Sequence, residues 1–254
     1  MGNAIKITLS LLLPALALNS QASCTKVDTS SPQSTIGNTI FYFENHTIPE
    51  SNETGGEPVY QLDLMAKNCV SNDTRKIDSM PYLSDTGKIV SIFPATLKEQ
   101  KLFVIHRAEI ISDTGTPYSS DYYTIRVYTP NKDNTFLDKQ LTKYFGYGAD
   151  ILDSTKMRKI YSFPYKTQKS IEEELISEEF KKASHHETWK AIVTEKTYFH
   201  REPIITEQKN SYIIPGDYVY VSEKQANWCN SMYMDKKNKS TTGWILCSHI
   251  KISK

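Results

Sequence analysis

The residues of this sequence whose types could do chemistry are four cysteines, Cys24, Cys69, Cys229 and Cys247, and six histidines, His46, His106, His185, His186, His200 and His249. Cysteine offers three chemistries: a thiolate nucleophile, a metal ligand or a disulfide. The zinc reading lacks its spacing, because no two cysteines stand at C-x-x-C distance and no paired-histidine motif accompanies them. A nucleophilic thiol needs a free cysteine beside a base. No G-x-S-x-G elbow, H-E-x-x-H helix or phosphate-binding glycine loop occurs either. The adjacent His185-His186 pair reads as part of an exposed linker rather than as a metal site. Asn131-Lys132-Asp133-Asn134 has calcium-type ligands but lacks the downstream glycine and glutamate of an EF-hand loop. The expectation is a protein that is not an enzyme and uses no cofactor or metal.

Disulfides are the remaining use of the cysteines, and the N-terminus supplies a compartment for them. Lys6 precedes an apolar run over residues 7–18, and the small residues Ser20 and Ala22 flank Gln21. These are the parts of a secretory signal peptide, with cleavage expected after Ala22 and a second candidate site at Ala15-Leu16-Ala17. A mostly apolar run of twelve residues falls short of the roughly 20 that span a bilayer core. Cys24 also raises a lipid anchor, but such a motif has an aliphatic residue three places before the cysteine, where this chain has Gln21. The expected location is therefore exported and periplasmic. In an oxidising compartment an even cysteine count favours disulfides. The long gap between Cys69 and Cys229 favours local pairing, Cys24 with Cys69 and Cys229 with Cys247.

Charge narrows the partners. The whole chain has 30 Lys and Arg against 29 Asp and Glu, and removing residues 1–22 deletes only Lys6. A near-neutral mature chain argues against nucleic acid, whose binding needs many phosphate-neutralising cations. No second stretch approaches membrane length, so stable membrane insertion is not expected.

The elements that must position any site are mostly extended. β-branched and aromatic residues between turn signals predict strands over residues 39–43, 59–65, 101–111 and 122–129. Residues 25–38 read as a flexible lead-in. Ser112-Asp113-Thr114-Gly115-Thr116-Pro117 separates the last two strands as the loop of an antiparallel hairpin. In Tyr122-Tyr123-Thr124-Ile125-Arg126-Val127-Tyr128 both alternating sets are bulky. The strand is then either covered on both faces or shows one aromatic face to a partner. One amphipathic helix is predicted with a Ser170/Glu173 capping box, Ile171, Leu175, Ile176 and Phe180 on one face, and Lys181 and Lys182 in the last turn. Residues 183–187 read as a linker. Tyr144-Phe145-Gly146-Tyr147-Gly148-Ala149-Asp150 is either a core-facing turn or a turn that shows rings to a partner.

Beyond the linker the pattern shortens. Strands are predicted over residues 190–193, 211–214, 217–222, 230–234 and 243–246, with turns at residues 215–217 and 235–239. Five short strands in under 70 residues suit a small barrel. The ordered set Ala191-x-Val193, Lys196-x-Tyr198-Phe199, Ser211-Tyr212-Ile213, Gly216-Asp217-x-Val219-x-Val221, Trp228, Tyr233 and Thr242-Gly243-Trp244-Ile245 resembles the bacterial SH3-like (SH3b) family. The resemblance implies a tight turn at the glycine-aspartate pair and a strand that starts at the late glycine-tryptophan. It covers nothing before residue 187. The expected organisation is a signal peptide at 1–22, a mostly-β domain of no recognised family at 23–186, and an SH3-like domain at 187–254. Cys229 and Cys247 lie at the ends of strands that antiparallel pairing would bring together, closing a loop worth roughly 3 kcal/mol.

Binding is the expected activity, since Tyr and Trp give large contact areas at low entropic cost. Tyr198, Phe199, Trp228, Tyr233 and Trp244 are the candidate ligand-binding residues, with at least two of them expected in the barrel core. The resemblance implies a cell-wall peptide (peptidoglycan) or a protein partner. The alternative is an immunity protein that occludes a secreted toxin in the periplasm.

Overall fold

The computed structural model describes residues 26–48, 59–83, 85–110, 115–131, 134–153, 155 and 157–253. The expected signal peptide, Cys24, part of the 112–117 loop, and Lys132 and Asp133 lie outside the described residues. Within them the chain is mostly antiparallel β with three helices, and no helix is long and apolar enough to cross a membrane.

A first sheet runs in the order β1 (Ser34–Ile36), β2 (Thr39–Thr47), β3 (Tyr60–Asn68) and β4 (Thr74–Ser79). Residues 34–36, read as part of a flexible lead-in, thus form a strand. Gly37 and Asn38 turn β1 into β2, and Gly37 takes φ +57°, the sign that a two-residue hairpin turn demands. The edge strand β4 is charged, with Arg75, Lys76 and Asp78, which blunts an otherwise open ladder.

A second sheet is built from β5 (Lys88–Thr96), β6 (Gln100–Ala108), β7 (Tyr122–Pro130) and β8 (Thr135–Leu137), with β9 (Tyr147–Gly148) added to the start of β7. The expected β6–β7 hairpin forms, in register from Leu102 opposite Tyr128 to Ala108 opposite Tyr122. Strand β6 is buried on both faces. Leu102 and Val104, with Tyr128 of β7, pack on Phe41, Phe43, Leu62 and Leu64 of the first sheet. Phe103 and Ile105, with Ile125 and Val127 of β7, face the opposite way into a second core. Alternation along one strand therefore feeds two cores. Asp78 of β4 ties the sheets together by accepting from Arg126 (2.5 Å) and from the Tyr128 hydroxyl (2.8 Å).

The helices are α1 (Lys139–Phe145), α2 (Gln168–Leu175) and α3 (Glu178–Ser184). The single helix expected from Ser170 to Lys182 is in fact α2 and α3. Thr167, not Ser170, is the first N-cap, with Ser170 returning the capping box. The chain then breaks at Ile176, because the Ser177 side chain accepts from Phe180 N (3.0 Å) and caps a new helix. Ile171 and Phe180 are buried as expected, but Ile176 is 73% exposed and leaves the apolar face. His185 follows α3, its Nδ1–H donating to Lys181 O at 2.7 Å and so serving the helix end.

The C-terminal sheet has seven strands, in the linear order β14 (Gln208–Ile213), β13 (Thr197–His200), β17 (Ser240–Leu246), β16 (Trp228–Met234), β15 (Tyr218–Gln225), β12 (Trp189–Val193), β18 (Ile250–Ile252). All five strands expected here are present; β13 and β18 are additional. Gly216 turns at φ +95°, and Asp217 closes the turn by accepting from Ile214 N at 3.0 Å. Gly243 lies inside β17 rather than at its start. A Cβ there would sit 2.7 Å from His200 O, so the glycine lets β13 approach. Cys229 and Cys247 form the expected disulfide, with Cα atoms 5.2 Å apart. Cys69 is also disulfide-bonded.

One face of this sheet encloses a core of Trp189, Ala191, Val193, Phe199, Val219, Val221 and Ile245. The other face of β16 and β17 carries Trp228, Trp244 and Leu246 into the core built by Phe103, Phe145, Tyr165 and Phe180. Packing therefore continues across residue 187.

Candidate functional site

The junction between that face and the N-terminal part opens into a cleft of about 490 Å³, within the size range of ligand pockets. Three tyrosines form one wall. Strand β7 supplies Tyr122; β9, laid against β7 with Tyr147 opposite Thr124, supplies Tyr147; a bridge between Tyr118 and Ile151 supplies Tyr118. Tyr122 and Tyr147 stack with centroids 6.0 Å apart, and Tyr118 meets Tyr122 edge-on at 6.5 Å. Tyr147 is 60% exposed. Burial, with Tyr147, Tyr118 and Tyr161 nearby, pushes the Tyr122 hydroxyl well above its ordinary value. The hydroxyl therefore acts as a neutral hydrogen-bonding group.

The floor and far wall come from the C-terminal sheet. Tyr161, on β11 (Lys159–Tyr161), which pairs with β10 (Ile151–Leu152), stacks on Trp228 at 5.6 Å, and the His200 ring meets Trp228 edge-on at 4.8 Å. His200 Nδ1–H donates to Ile204 O at 3.0 Å, fixing the loop that brings Glu202, Pro203 and the exposed Ile204 to the rim. Burial lowers the His200 pKa, so the ring is neutral in this packing. Trp244 closes the floor.

The loop after β9 is held by Asp150. Its carboxylate accepts from Lys159 (2.7 Å), Lys166 (2.5 Å), Ser162 Oγ (3.1 Å) and Phe163 N (3.0 Å), while Ser120 Oγ accepts from its backbone N–H (2.9 Å). Burial alone would raise this carboxyl, but the hydrogen bonds from Lys159, Lys166 and Phe163 hold it down at about 2. The two readings of residues 144–150 thus each apply to part of the segment. Tyr144 and Phe145 face the core, Gly146 turns at φ +64°, and Tyr147 faces out.

No family model, curated protein or solved structure matches this chain. The site therefore rests on its own geometry.

The five aromatic residues expected to form one groove are divided. Trp228 and Trp244 are largely buried but line the cleft. Phe199 is wholly buried and packs inside the C-terminal core, out of reach of any ligand. Tyr233 packs against that same core. Tyr198 stands beside a second cavity of about 570 Å³, paired with Tyr212 at 5.6 Å beneath Lys196. The residues missed from the sequence are Tyr118, Tyr122, Tyr147 and Tyr161. The doubled aromatic pattern of β7 signalled Tyr122 and the flanking glycines signalled Tyr147, whereas no local pattern pointed to Tyr118 or Tyr161. Among the described residues no group of three or more His, Cys, Asp or Glu is placed to hold a metal.

Proposed function

We propose that the protein is a non-catalytic binding protein, exported to the periplasm, that takes a segment of a protein partner or a cell-wall peptide into the cleft between its N-terminal part and its C-terminal sheet. The single observation that carries this reading is the cleft itself, walled by Tyr118, Tyr122 and Tyr147 and floored by Trp228 and Trp244. Rings of this kind supply large contact area with little rotamer entropy to lose. The disulfide-bonded state of Cys69, Cys229 and Cys247 supports an oxidising compartment. The short antiparallel strands of residues 189–252 and the Gly216-Asp217 turn support an SH3-like module at 187–254, preceded by a mostly-β domain.

The alternative, an immunity protein that covers a toxin, is favoured by a different observation. On the C-terminal sheet, Tyr218, Tyr220, Met232 and Met234 are exposed, with Tyr220 directly opposite Met232. An exposed apolar sheet face of this composition fits a broad protein contact.

Co-sedimentation of the purified mature protein with murein sacculi tests the cell-wall version. Tyr147→Ala is expected to abolish pelleting and Tyr220→Ala to leave it intact. A partner held through the cleft gives the same pattern in a reconstituted complex. The reverse pattern moves the function to the sheet face and supports the immunity reading. Binding insensitive to both substitutions overturns both readings.

A further inference from the structure

We propose that the cleft recognises a basic side chain, lysine or arginine, carried on an extended segment of a protein partner. This rests on the cleft being the binding site and adds the chemistry of what enters it.

The first observation is the tyrosine wall. Aromatic faces carry negative quadrupole density and attract cations placed over them. The protein already uses this attraction elsewhere on its surface. Lys196 Nζ lies 5.0 Å from the Tyr198 ring and 4.2 Å from the Tyr212 ring, and Lys190 Nζ lies 4.0 Å from the Tyr218 ring. Tyr118, Tyr122 and Tyr147 form an equivalent contact group, yet no Lys or Arg lies over any of their rings among the described residues.

The second observation is charge. Two lining residues carry full charge, Lys143 and Glu202. Lys143 is neutralised by Glu223 at 2.6 Å. Glu202 is exposed and makes no ion pair among the described residues. An uncompensated carboxylate and a tyrosine wall with no cation over it line the same cleft, which suits a positively charged occupant. The exposed Ile204 beside Glu202 gives the flanking apolar atoms of a peptide something to cover. A volume of about 490 Å³ holds a long side chain with part of the backbone on either side.

The test uses the blocked pentapeptide Ac-Ala-Ala-Lys-Ala-Ala-NH2, with arginine, norleucine and glutamate counterparts and a diaminopimelate-containing muropeptide. Binding is followed by amide chemical shifts and by tryptophan fluorescence. The lysine and arginine peptides are expected to shift Tyr147, Gly148 and Ile204 and to bind about five-fold more tightly than the norleucine peptide. Glu202→Gln, an exposed substitution that leaves the core untouched, is expected to bring lysine down to the norleucine level. Tyr147→Leu is expected to weaken the basic peptides more than the norleucine one. Equal binding of lysine and norleucine peptides overturns the charge assignment while leaving the cleft a binding site. Absence of cleft shifts with every peptide overturns both. Tighter binding of the muropeptide than of the lysine peptide overturns the choice of a protein source.

Discussion

Lys224, from β15, donates to Glu174 of α2 at 2.8 Å, inside an interface where both side chains are largely buried. Glu179 of α3 accepts from the same ammonium at 2.5 Å, and the Tyr144 hydroxyl donates to Glu174. The break at Ile176 is what turns two carboxylates, one from each helix, toward one cation. The C-terminal sheet is thereby tied to both helices.

Removing that cation strands two partly buried acids. Lys224→Met keeps the stem's packing but leaves Glu174 and Glu179 facing each other. The expected loss is roughly 3–5 kcal/mol, the usual cost of breaking a buried pair. At roughly 2–4 °C per kcal/mol for a chain of this size, thermal unfolding followed by circular dichroism should show a drop of roughly 10 °C. The exposed pair Lys169–Glu173 is the control; Lys169→Met is expected to change stability by less than about 1 kcal/mol.

The Cys229–Cys247 bridge spans 18 residues and joins β16 to the turn after β17. Closing a loop of that length is worth roughly 3 kcal/mol in the chain-entropy treatment. The double substitution Cys229→Ala/Cys247→Ala is expected to lower the unfolding free energy by that order in urea titrations. Reductant should then have a smaller further effect than it has on the unsubstituted protein. An unchanged midpoint would show that sheet pairing alone holds this end together.

The strands were readable in the sequence because alternation and turn residues are local signals. The residues of β6 and β7 show it, as does the Gly216-Asp217 turn. Strands β4 and β5 were not readable, because Thr74–Ser79 is charged and exposed and Lys88–Thr96 contains Pro94. The helix break was hidden by the apolar spacing of Ile171, Leu175, Ile176 and Phe180, which continues through Ser177 although its side chain caps a second helix. The cleft was the least legible part. Its walls come from residues 118–161 and 202–244, and no local pattern reports that Tyr161 will stack on Trp228. Phe199 and Tyr147 differ only in which way their strands place them. That placement is decided by distant packing.

His106 sets an acid limit on stability. It is wholly buried on β6, its Nε2–H donates to Thr86 O at 3.0 Å, and its Nδ1 has no hydrogen-bond partner. Burial lowers its pKa below the ordinary value, and the nearby Arg126 acts in the same direction. As pH falls through about 6.5 the unfolded chain takes up a proton that the folded chain resists, so stability decreases toward acid. His200 and His249 are lowered by burial too and act in the same sense. Urea unfolding at pH 8, 6.5 and 5 is expected to show a steady loss. His106→Gln, which keeps a donor for Thr86, is expected to reduce the slope by up to one proton, about 1.4 kcal/mol per pH unit.

Asp150 links the acid response to the cleft. Its carboxylate is 5% exposed and collects Lys159, Lys166, Ser162 and Phe163 N, with Ala149 and Ile151 beside it lining the cleft. The folded carboxyl titrates near 2, below its ordinary value of 3.8. Its contribution is therefore complete above about pH 4 and is lost as pH falls from there toward 2. Asp150→Asn keeps the shape but removes the charge that both lysines meet. The expected loss is roughly 1.5–3 kcal/mol, the scale of a hydrogen bond to a charged group. Because the loop carries Tyr147 on one side and Ile151 on the other, the same substitution should loosen the tyrosine wall. Amide exchange is expected to speed up at residues 147–151 more than in β2 or β3. Ligand affinity should fall by more than the global stability loss can explain, measured at a temperature where both proteins are folded. Equal exchange in all three segments would show that Asp150 serves stability alone, with the cleft held by the stacking of its own rings.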